Sequence, residues 1–241
     1  MITERKTADH TAPANPSDLP SELLLQGTDL RAGDILLHRP KMPNLTQQLI
    51  SKKTGSPYTH ASICLGENRQ AEFVWPEFEV NSISPLDQAT ACIAVLRSQM
   101  VFGAERVRKL REFAAAVKGV GYNFQGALAL PKTSTRFFDN QLEVISREFG
   151  QYRCIEEFQQ RSYFCSSFVV ACYSVVEIID KSAQVAYPPD AFSPGHLYAD
   201  ATFGWLLGYL LPPGGWVTAD DPVQHLAQWR DLPDCHWWPP T

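Results

Sequence analysis

The sequence lacks any apolar run of the roughly 20 consecutive residues that a transmembrane helix needs. Its first ten residues also contain no apolar stretch of the length typical of a signal peptide. We therefore expect a chain that is made in the cytoplasm without a signal peptide and carries no transmembrane segment. Secretion by a signal-independent system into a target periplasm stays open under this expectation.

Clusters of basic residues are also scarce, and none is longer than a pair such as Lys52-Lys53. The formal net charge of the 241-residue chain is -5. A protein that binds nucleic acid normally carries a basic stripe that neutralises phosphates. We therefore predict no nucleic-acid partner.

The six cysteines contain no CxxC pair, and no group of His, Cys, Asp and Glu shows metal-ligand spacing. These absences argue against a zinc-ribbon fold and against a disulfide scaffold. We predict no metal and no cofactor, and we expect most of the cysteines to be buried as small apolar residues.

The patterns that are present predict an α+β fold, with an antiparallel sheet and helices packed on it. We expect a disordered lead over residues 1–28, a main domain over 29–200 and a C-terminal extension over 201–241 that packs on the domain. The predicted strands are Ile35–His38, Tyr58–Gly66, Gln70–Val74 and Ile93–Arg97. The predicted helices are Leu45–Ile50, Glu105–Val117, one between Asn140 and Phe149, and Cys165–Ile179.

Cys165 differs from the other cysteines because it lies at the predicted start of an apolar helix. A thiol there is close to the positive end of the helix dipole and to unpaired N–H groups, which favour the thiolate. The same N–H groups can bind the oxyanion that forms when a carbonyl is attacked. The alternative is a buried cysteine that begins a core helix. Cys172 lies mid-helix among apolar residues and is interpreted as core.

A nucleophilic cysteine needs a base, and His60 is the best placed of six histidines, near the start of a predicted strand. A structural role for His60 is the alternative. The remaining histidines lie in the lead, in the irregular tail or in less regular settings: His10, His38, His196, His225 and His236.

The base must itself be oriented through its far ring nitrogen. Glu72 lies on the next predicted strand, and a hairpin turning at Gly66-Glu-Asn-Arg69 would bring it beside His60. A surface-facing Glu72 is the alternative interpretation. Asp34 is the second candidate, although an aspartate in a turn commonly caps the turn.

Taken in order, five short motifs resemble the circularly permuted branch of the NlpC-type papain-like hydrolases, which includes YiiX-like proteins and lecithin:retinol acyltransferase-like enzymes. The motifs are Gly33-Asp-Ile-Leu, Ser56-Pro-Tyr-Thr-His-Ala-Ser-Ile, Ala71-Glu-Phe, Gly121-Tyr-Asn-Phe and Tyr163-Phe-Cys-Ser-Ser-Phe-Val. As in that branch, the histidine strand precedes the cysteine helix. The resemblance spans roughly residues 30–194, and the 125–162 segment matches nothing in it.

The resemblance implies a permuted papain-like fold with the nucleophile at a helix N-terminus. It implies Cys165 as nucleophile, His60 as base and Glu72 as the residue that orients His60. It also implies that Tyr58 lies beside the site and that Asp34 lies near the base of the histidine strand. We count Asp34, Tyr58 and Ser166, the residue after the nucleophile, as supporting residues.

Three functions are carried forward. The first is a cysteine amidase that cleaves peptidoglycan peptides through a thioester, acting as an exported antibacterial toxin with an immunity or secretion partner, or in peptide recycling. The second is a lipid acyl hydrolase or acyltransferase, for which the apolar run from Phe203 to Trp216 could line an acyl pocket or touch a bilayer surface. The alternative is that this run forms core strands or packed helices. The third is a binding module in which Cys165 only packs.

Overall fold

The computed structural model describes residues 13–14 and 19–229. The strands are β1 Pro13–Ala14, β2 Ile35–Pro40, β3 His60–Gly66, β4 Arg69–Phe73, β5 Phe78–Ser82, β6 Thr90–Arg97, β7 Trp205–Leu210 and β8 Val217–Thr218. The helices are α1 Leu45–Thr54, α2 Ala104–Ala116, α3 Phe124–Asp139, α4 Gln141–Glu148, α5 Ile155–Gln159, α6 Cys165–Val175 and α7 Pro194–Ala199. The α+β class predicted from the sequence is confirmed.

The centre of the protein is a six-stranded sheet in the order β5-β4-β3-β2-β6-β7, in which every neighbouring pair is antiparallel. Strands β3 and β4 form the hairpin that the sequence predicts at the turn after Gly66. Glu67 and Asn68, at the tip of that turn, both have positive φ angles near 57°, as two-residue hairpin loops require. The strands β1 and β8 form a separate two-stranded ladder.

Helix α6 lies in the core of the molecule, and all eleven of its residues are buried. It packs on the face of the sheet formed by alternate residues such as Ala61, Ile63 and Phe73. Phe168 of α6 contacts the rings of Phe73, Phe78 and Phe113 in an aromatic cluster between sheet and helices. This packing fixes the start of α6 relative to β3.

The opposite face of the sheet is apolar at one end and polar at the other. Leu36, Cys64 and Val95 belong to a small apolar cluster there. Because side chains alternate along a strand, His60 shares this face with Cys64, and His38 is its cross-strand partner on β2. The polar end of the face carries the candidate site.

The four predicted helices are present as α1, α2, α4 and α6, although α1 extends to Thr54, and α3, α5 and α7 were not predicted. Helix α6 ends at Val175 rather than at Ile179, because Glu177 adopts a positive φ of 58° and the N–H groups of Ile178 and Ile179 turn back to Tyr173. Helix α3 was not predicted, since its sequence contains Pro131 and several Ser and Thr residues. In the part of the chain that the structure describes, no helix is both long and apolar enough to cross a bilayer.

The terminal segments contribute to the sheet. Residues 19–28, expected within a disordered lead, instead pack on it: Leu19 and Leu23 are buried, and Leu25 N–H donates to the carbonyl of Tyr209. The expected extension 201–241 supplies β7, the edge strand beside β6. Residues 1–12, 15–18 and 230–241 lie outside the described residues, as do His10, Cys235 and His236. The boundary at residue 29 or 200 stays a prediction.

Candidate active site

Cys165 is the first residue of α6, and only 6% of its surface is exposed. The backbone N–H groups of Ala61, on β3, and of Ser166, on α6, both act on the Cys165 sulfur and lower the pKa of the thiol. The thiol therefore lies at a helix start, next to the strand that carries His60.

His60 joins Cys165 to Glu72. The Nε2 atom of His60 lies 2.6 Å from Oε2 of Glu72. An ionised carboxylate only accepts, so Nε2–H of His60 is the donor and Nδ1 is left for the thiol of Cys165. The interaction of His60 with the thiol raises the pKa of His60 and lowers the pKa of Cys165. The structure thus brings together the three residues expected to act in catalysis.

The pKa values of this trio shift in the directions that favour charge separation. Burial would raise the pKa of the Cys165 thiol, but hydrogen bonding to His60, the charge of His60 and the two N–H groups lower it below its ordinary value. Burial would lower the pKa of His60, but its bonds to Cys165 and Glu72 raise it to about 10. Burial opposes ionisation of Glu72, yet His60 and neighbouring groups lower its pKa to about 2. A thiolate–imidazolium pair is therefore favoured at neutral pH.

Glu72 is held by a chain of amide and hydroxyl groups. Its Oε1 atom accepts from Gln70 Nε2 at 3.0 Å and from Asn81 Nδ2 at 3.1 Å. Gln70 Oε1 in turn accepts from the hydroxyl of Ser62 at 2.9 Å. Since that hydroxyl is already donating, His38 Nε2, 3.0 Å from it, must be the donor of its own bond. The chain fixes the carboxylate in one orientation from two sides.

His38 and His60 are neighbours with different charge states. Their ring centroids are 5.1 Å apart. Burial, reinforced by the charge of His60, lowers the pKa of His38 to about 4, against the opposing effect of Glu72 and Asp87. His38 is therefore neutral when His60 is charged, so the two rings do not repel each other.

His38, His60 and Glu72 also place one potential metal-ligand atom each within 4.8 Å of one another. Two of these residues are hydrogen-bonded to each other, and His38 is bonded to Ser62. The donor set is thus engaged in an organised hydrogen-bond chain, which supports a proton-transfer role. The absence of a metal stays a prediction from the sequence.

Asp34, the second candidate for orienting His60, lies elsewhere. Its carboxylate accepts from Nε and Nη2 of Arg97 at 2.8 and 2.7 Å and from the N–H of Arg31 at 2.7 Å. Burial raises the pKa of Asp34, and Arg97 counteracts this effect. Asp34 therefore links the start of β2 to the end of β6. Glu72, and not Asp34, is the residue that contacts His60.

The other two supporting residues also make structural contacts. Tyr58 is fully buried, and its hydroxyl donates to the carboxylate of Asp221 at 2.9 Å. The hydroxyl of Ser166 donates to the carbonyl of Phe192 at 2.7 Å. Tyr58 is thus near His60 in sequence but directed into the core, and Ser166 contributes its N–H rather than its side chain to the thiol.

The remaining candidates do not join the trio. His196 is bonded to Ser193 in a helix-capping arrangement, and His225 is exposed in the tail. Cys172 is buried in α6, where burial raises its pKa well above the ordinary value, in agreement with its interpretation as core.

A cleft of about 1220 Å³ opens above the trio and is lined by His60, Glu72 and Cys165. Its walls come from α1, from the segment after β5 and from the first half of α3. The apolar run 203–216 does not line it, because Trp205–Leu210 is an edge strand of the sheet with Leu206 and Tyr209 buried. The run therefore supplies no acyl pocket at this cleft, and Trp205–Leu210 agrees with the alternative interpretation as a strand.

Tyr122 lines the same cleft. The sequence pointed to it only as part of the motif Gly121-Tyr-Asn-Phe. Its N–H donates to the carbonyl of Pro76, and the next N–H, that of Asn123, donates to Tyr163 just before the nucleophile. Burial and the charge of Cys165 raise the pKa of Tyr122 above its ordinary range. The motif therefore places an aromatic hydroxyl group in the field of the thiolate.

No protein-family model matches this chain, and no curated protein matches its sequence.

Proposed function

We propose that this chain is a cysteine hydrolase that acts through a thioester intermediate. The observation that carries the proposal is that His60 is hydrogen-bonded to Glu72 and lies close enough to Cys165 for each to shift the pKa of the other. A nucleophile, a base and a group that orients the base are the parts that thiol catalysis requires.

In the first step, Nδ1 of His60 holds the proton of Cys165, and the thiolate attacks an ester or amide carbonyl. The carbon–sulfur bond forms while the carbonyl electron pair moves to oxygen. N–H groups at the start of α6 are available to stabilise this oxyanion. When the tetrahedral intermediate collapses, the bond to the leaving group breaks and the leaving group takes the proton from His60.

In the second step, water attacks the thioester and gives its proton to the now neutral His60. Collapse of the second intermediate releases the acid and restores the thiolate, with the proton again on His60. A hydroxyl or amine acceptor in place of water would give acyl transfer by the same route. Glu72 stabilises the imidazolium in both steps because its pKa of about 2 keeps it ionised.

A permuted papain-like fold belongs to the same proposal. Two observations support it: the strand with His60 precedes the helix with Cys165 in the chain, and the nucleophile is the first residue of a buried helix packed on an antiparallel sheet.

The first candidate substrate is an amide bond of a peptidoglycan peptide. The resemblance stated from the sequence supports this class. Delivery as an antibacterial toxin, with an immunity or secretion partner, belongs to this candidate and predicts action in a target periplasm.

The second candidate is the acyl ester of a lipid, and one specific observation favours it. The walls of the cleft carry apolar side chains that are largely exposed, among them Leu49, Trp75, Phe124 and Leu128. Such side chains suit a fatty-acyl chain better than a charged peptide.

Product analysis by mass spectrometry tests the function and separates the two substrates. Bacterial envelopes that contain both peptidoglycan and phospholipid are incubated with the wild type and with Cys165→Ala. Cell-wall peptides released by the wild type alone would establish the amidase. Fatty acids and lysophospholipids released by the wild type alone would establish the lipid hydrolase.

An envelope left unchanged by both proteins would count against both substrates. The non-catalytic binding module would then be supported by a native Cys165 that reacts with iodoacetamide no faster than a free thiol.

A further inference from the structure

The wall of the cleft formed by α1 carries a stripe of two apolar residues followed by a lysine. Leu45, Leu49 and Lys53 are spaced four residues apart and therefore lie along one side of the helix. Leu45 is 84% exposed and Leu49 is 47% exposed. Leu49 and Lys53 both line the cleft.

The facing wall repeats the same order. Phe124, Leu128 and Lys132 are spaced four residues apart on α3, and all three line the cleft. Trp75, 71% exposed, extends this stripe through an edge contact with Phe124 at 5.6 Å between ring centroids. Two apolar stripes, each ending in a lysine, thus flank the entrance to Cys165.

The α1 stripe is not accounted for by packing. Helix α1 has ten residues and none of them is buried. It is stabilised by local devices instead: Asn44 and Gln47 form a capping box at its start, and Gly55 ends it with a positive φ of 65°. A helix that exposes Leu45 without serving the core has its apolar side available for a partner.

The lysines at the entrance have the opposite sign of charge to the net charge of the whole chain. The protein carries a net charge of -5, yet exposed Lys53 and Lys132 line the cleft, with Lys52 beside them on α1. The acidic residues that line it are Asp87 and Glu72, and Glu72 is already paired with His60. The entrance is therefore apolar with a basic margin.

We propose that these two stripes dock on the surface of an anionic phospholipid bilayer, with the leucines and aromatic rings in the interface and the lysines at the headgroups. Exposed apolar residues with lysine at the margin are the chemistry that such a surface recognises. This inference rests on the proposed acyl-hydrolase function, and it explains how an acyl chain reaches a cysteine at the base of a cleft. A second copy of the chain would place lysine against lysine and is disfavoured.

Vesicle co-sedimentation tests the docking independently of catalysis. Full-length protein and Cys165→Ala are mixed with phosphatidylcholine vesicles, with or without phosphatidylglycerol. Both proteins should bind the anionic vesicles, bind the neutral ones more weakly, and lose affinity as salt is raised. Leu45→Glu should reduce partitioning at least about 10-fold, because it removes a leucine from the interface. Lys53→Ala and Lys132→Ala should each reduce it about 5-fold.

Matched controls lie outside the cleft. Leu142→Glu alters a leucine that is 82% exposed on α4, and Lys118→Ala removes an exposed lysine after α2. Neither control should change vesicle binding. If the controls weaken binding as much as Leu45→Glu and Lys53→Ala do, the docking face is wrongly placed.

The remaining outcomes separate docking from function. Binding to vesicles without lipid products supports the docking face and contradicts lipid hydrolysis. Lipid products from detergent micelles without vesicle binding support the enzyme and overturn the docking face. Dimerisation in sedimentation velocity that Leu45→Glu abolishes would also overturn it in favour of self-association.

Discussion

The carboxylate of Glu72 contacts the imidazole of His60 at 2.6 Å across the β3–β4 hairpin, on the same side of the sheet as His38. This contact leaves only one ring nitrogen of His60 for the thiol of Cys165. The hairpin therefore determines both the orientation and the tautomer of the base.

Exchanging Glu72 and Asp34 for their amides should have different effects. Glu72→Gln should reduce kcat/KM by on the order of 100-fold or more, because the amide no longer stabilises the imidazolium. Asp34→Asn should leave kcat/KM nearly unchanged in the folded fraction, but lower the free energy of unfolding by about 3–5 kcal/mol through loss of a buried ion pair. Kinetics and denaturant unfolding of both variants check this. Loss of activity only in Asp34→Asn would reverse the assignment.

The thiol of Cys165 should react at a pH where ordinary thiols do not. Its lowered pKa predicts iodoacetamide labelling that slows at a lower pH than that of a small free thiol, which slows about tenfold per pH unit below a pKa of about 8.5. Peptide mapping should find Cys165 modified first and Cys172 unmodified. In His60→Ala, the pH dependence of Cys165 labelling should approach that of a free thiol. An unchanged pH dependence would contradict the ion pair.

The high pKa of His60 should depend on the thiolate. In Cys165→Ala the pKa should fall well below 10, because only the interaction with Glu72 remains to raise it. Titration of the His60 ring protons by NMR measures this. His38, whose pKa is lowered to about 4, provides an internal comparison. Its pKa should rise in His60→Gln, because the nearby positive charge of His60 is gone.

The raised pKa of His60 also makes stability depend on pH. A group with a raised pKa in the folded state stabilises the fold fully below its unfolded pKa of about 6.5, and this contribution is lost as the pH rises through 10. The difference in Tm between the wild type and His60→Gln should therefore shrink between pH 6.5 and 10. A difference that grows over this range would contradict the ion pair.

Tyr58→Phe should affect stability and not catalysis. It removes a hydrogen bond to the buried carboxylate of Asp221, which should lower the free energy of unfolding by about 1.5–3 kcal/mol. The exposed Tyr152 offers a control, and Tyr152→Phe should leave Tm unchanged. A fall in kcat for Tyr58→Phe without any change in Tm would instead place its hydroxyl in the reaction.

The sequence was most informative where local rules apply. The turn after Gly66 determines the hairpin register, so the approach of Glu72 to His60 could be predicted, and the apolar run after Cys165 predicted a buried helix. Partners distant in sequence could not be predicted: nothing next to Tyr58 indicates Asp221, and nothing next to Asp34 indicates Arg97.

Two kinds of element were missed for physical reasons. Strand β5 is short and mostly exposed, so it has little apolar alternation. Helix α3 contains a proline and polar residues, and the stripe from Phe124 to Lys132 was therefore not recognised. The walls of the cleft, which decide the substrate, were the part of the site least accessible from the sequence.

The bond between Tyr58 and Asp221 joins two residues that are made at different times during synthesis. Tyr58 stands two residues before His60, but its partner is separated from it by 163 positions. At the usual elongation rates of about 5–20 residues per second, the ribosome makes Asp221 roughly 8–30 s after Tyr58. This buried bond can form only after Asp221 has been made. A chain that has grown past Cys165 but has not reached Asp221 would therefore lack one of the bonds that stabilise the fold next to His60.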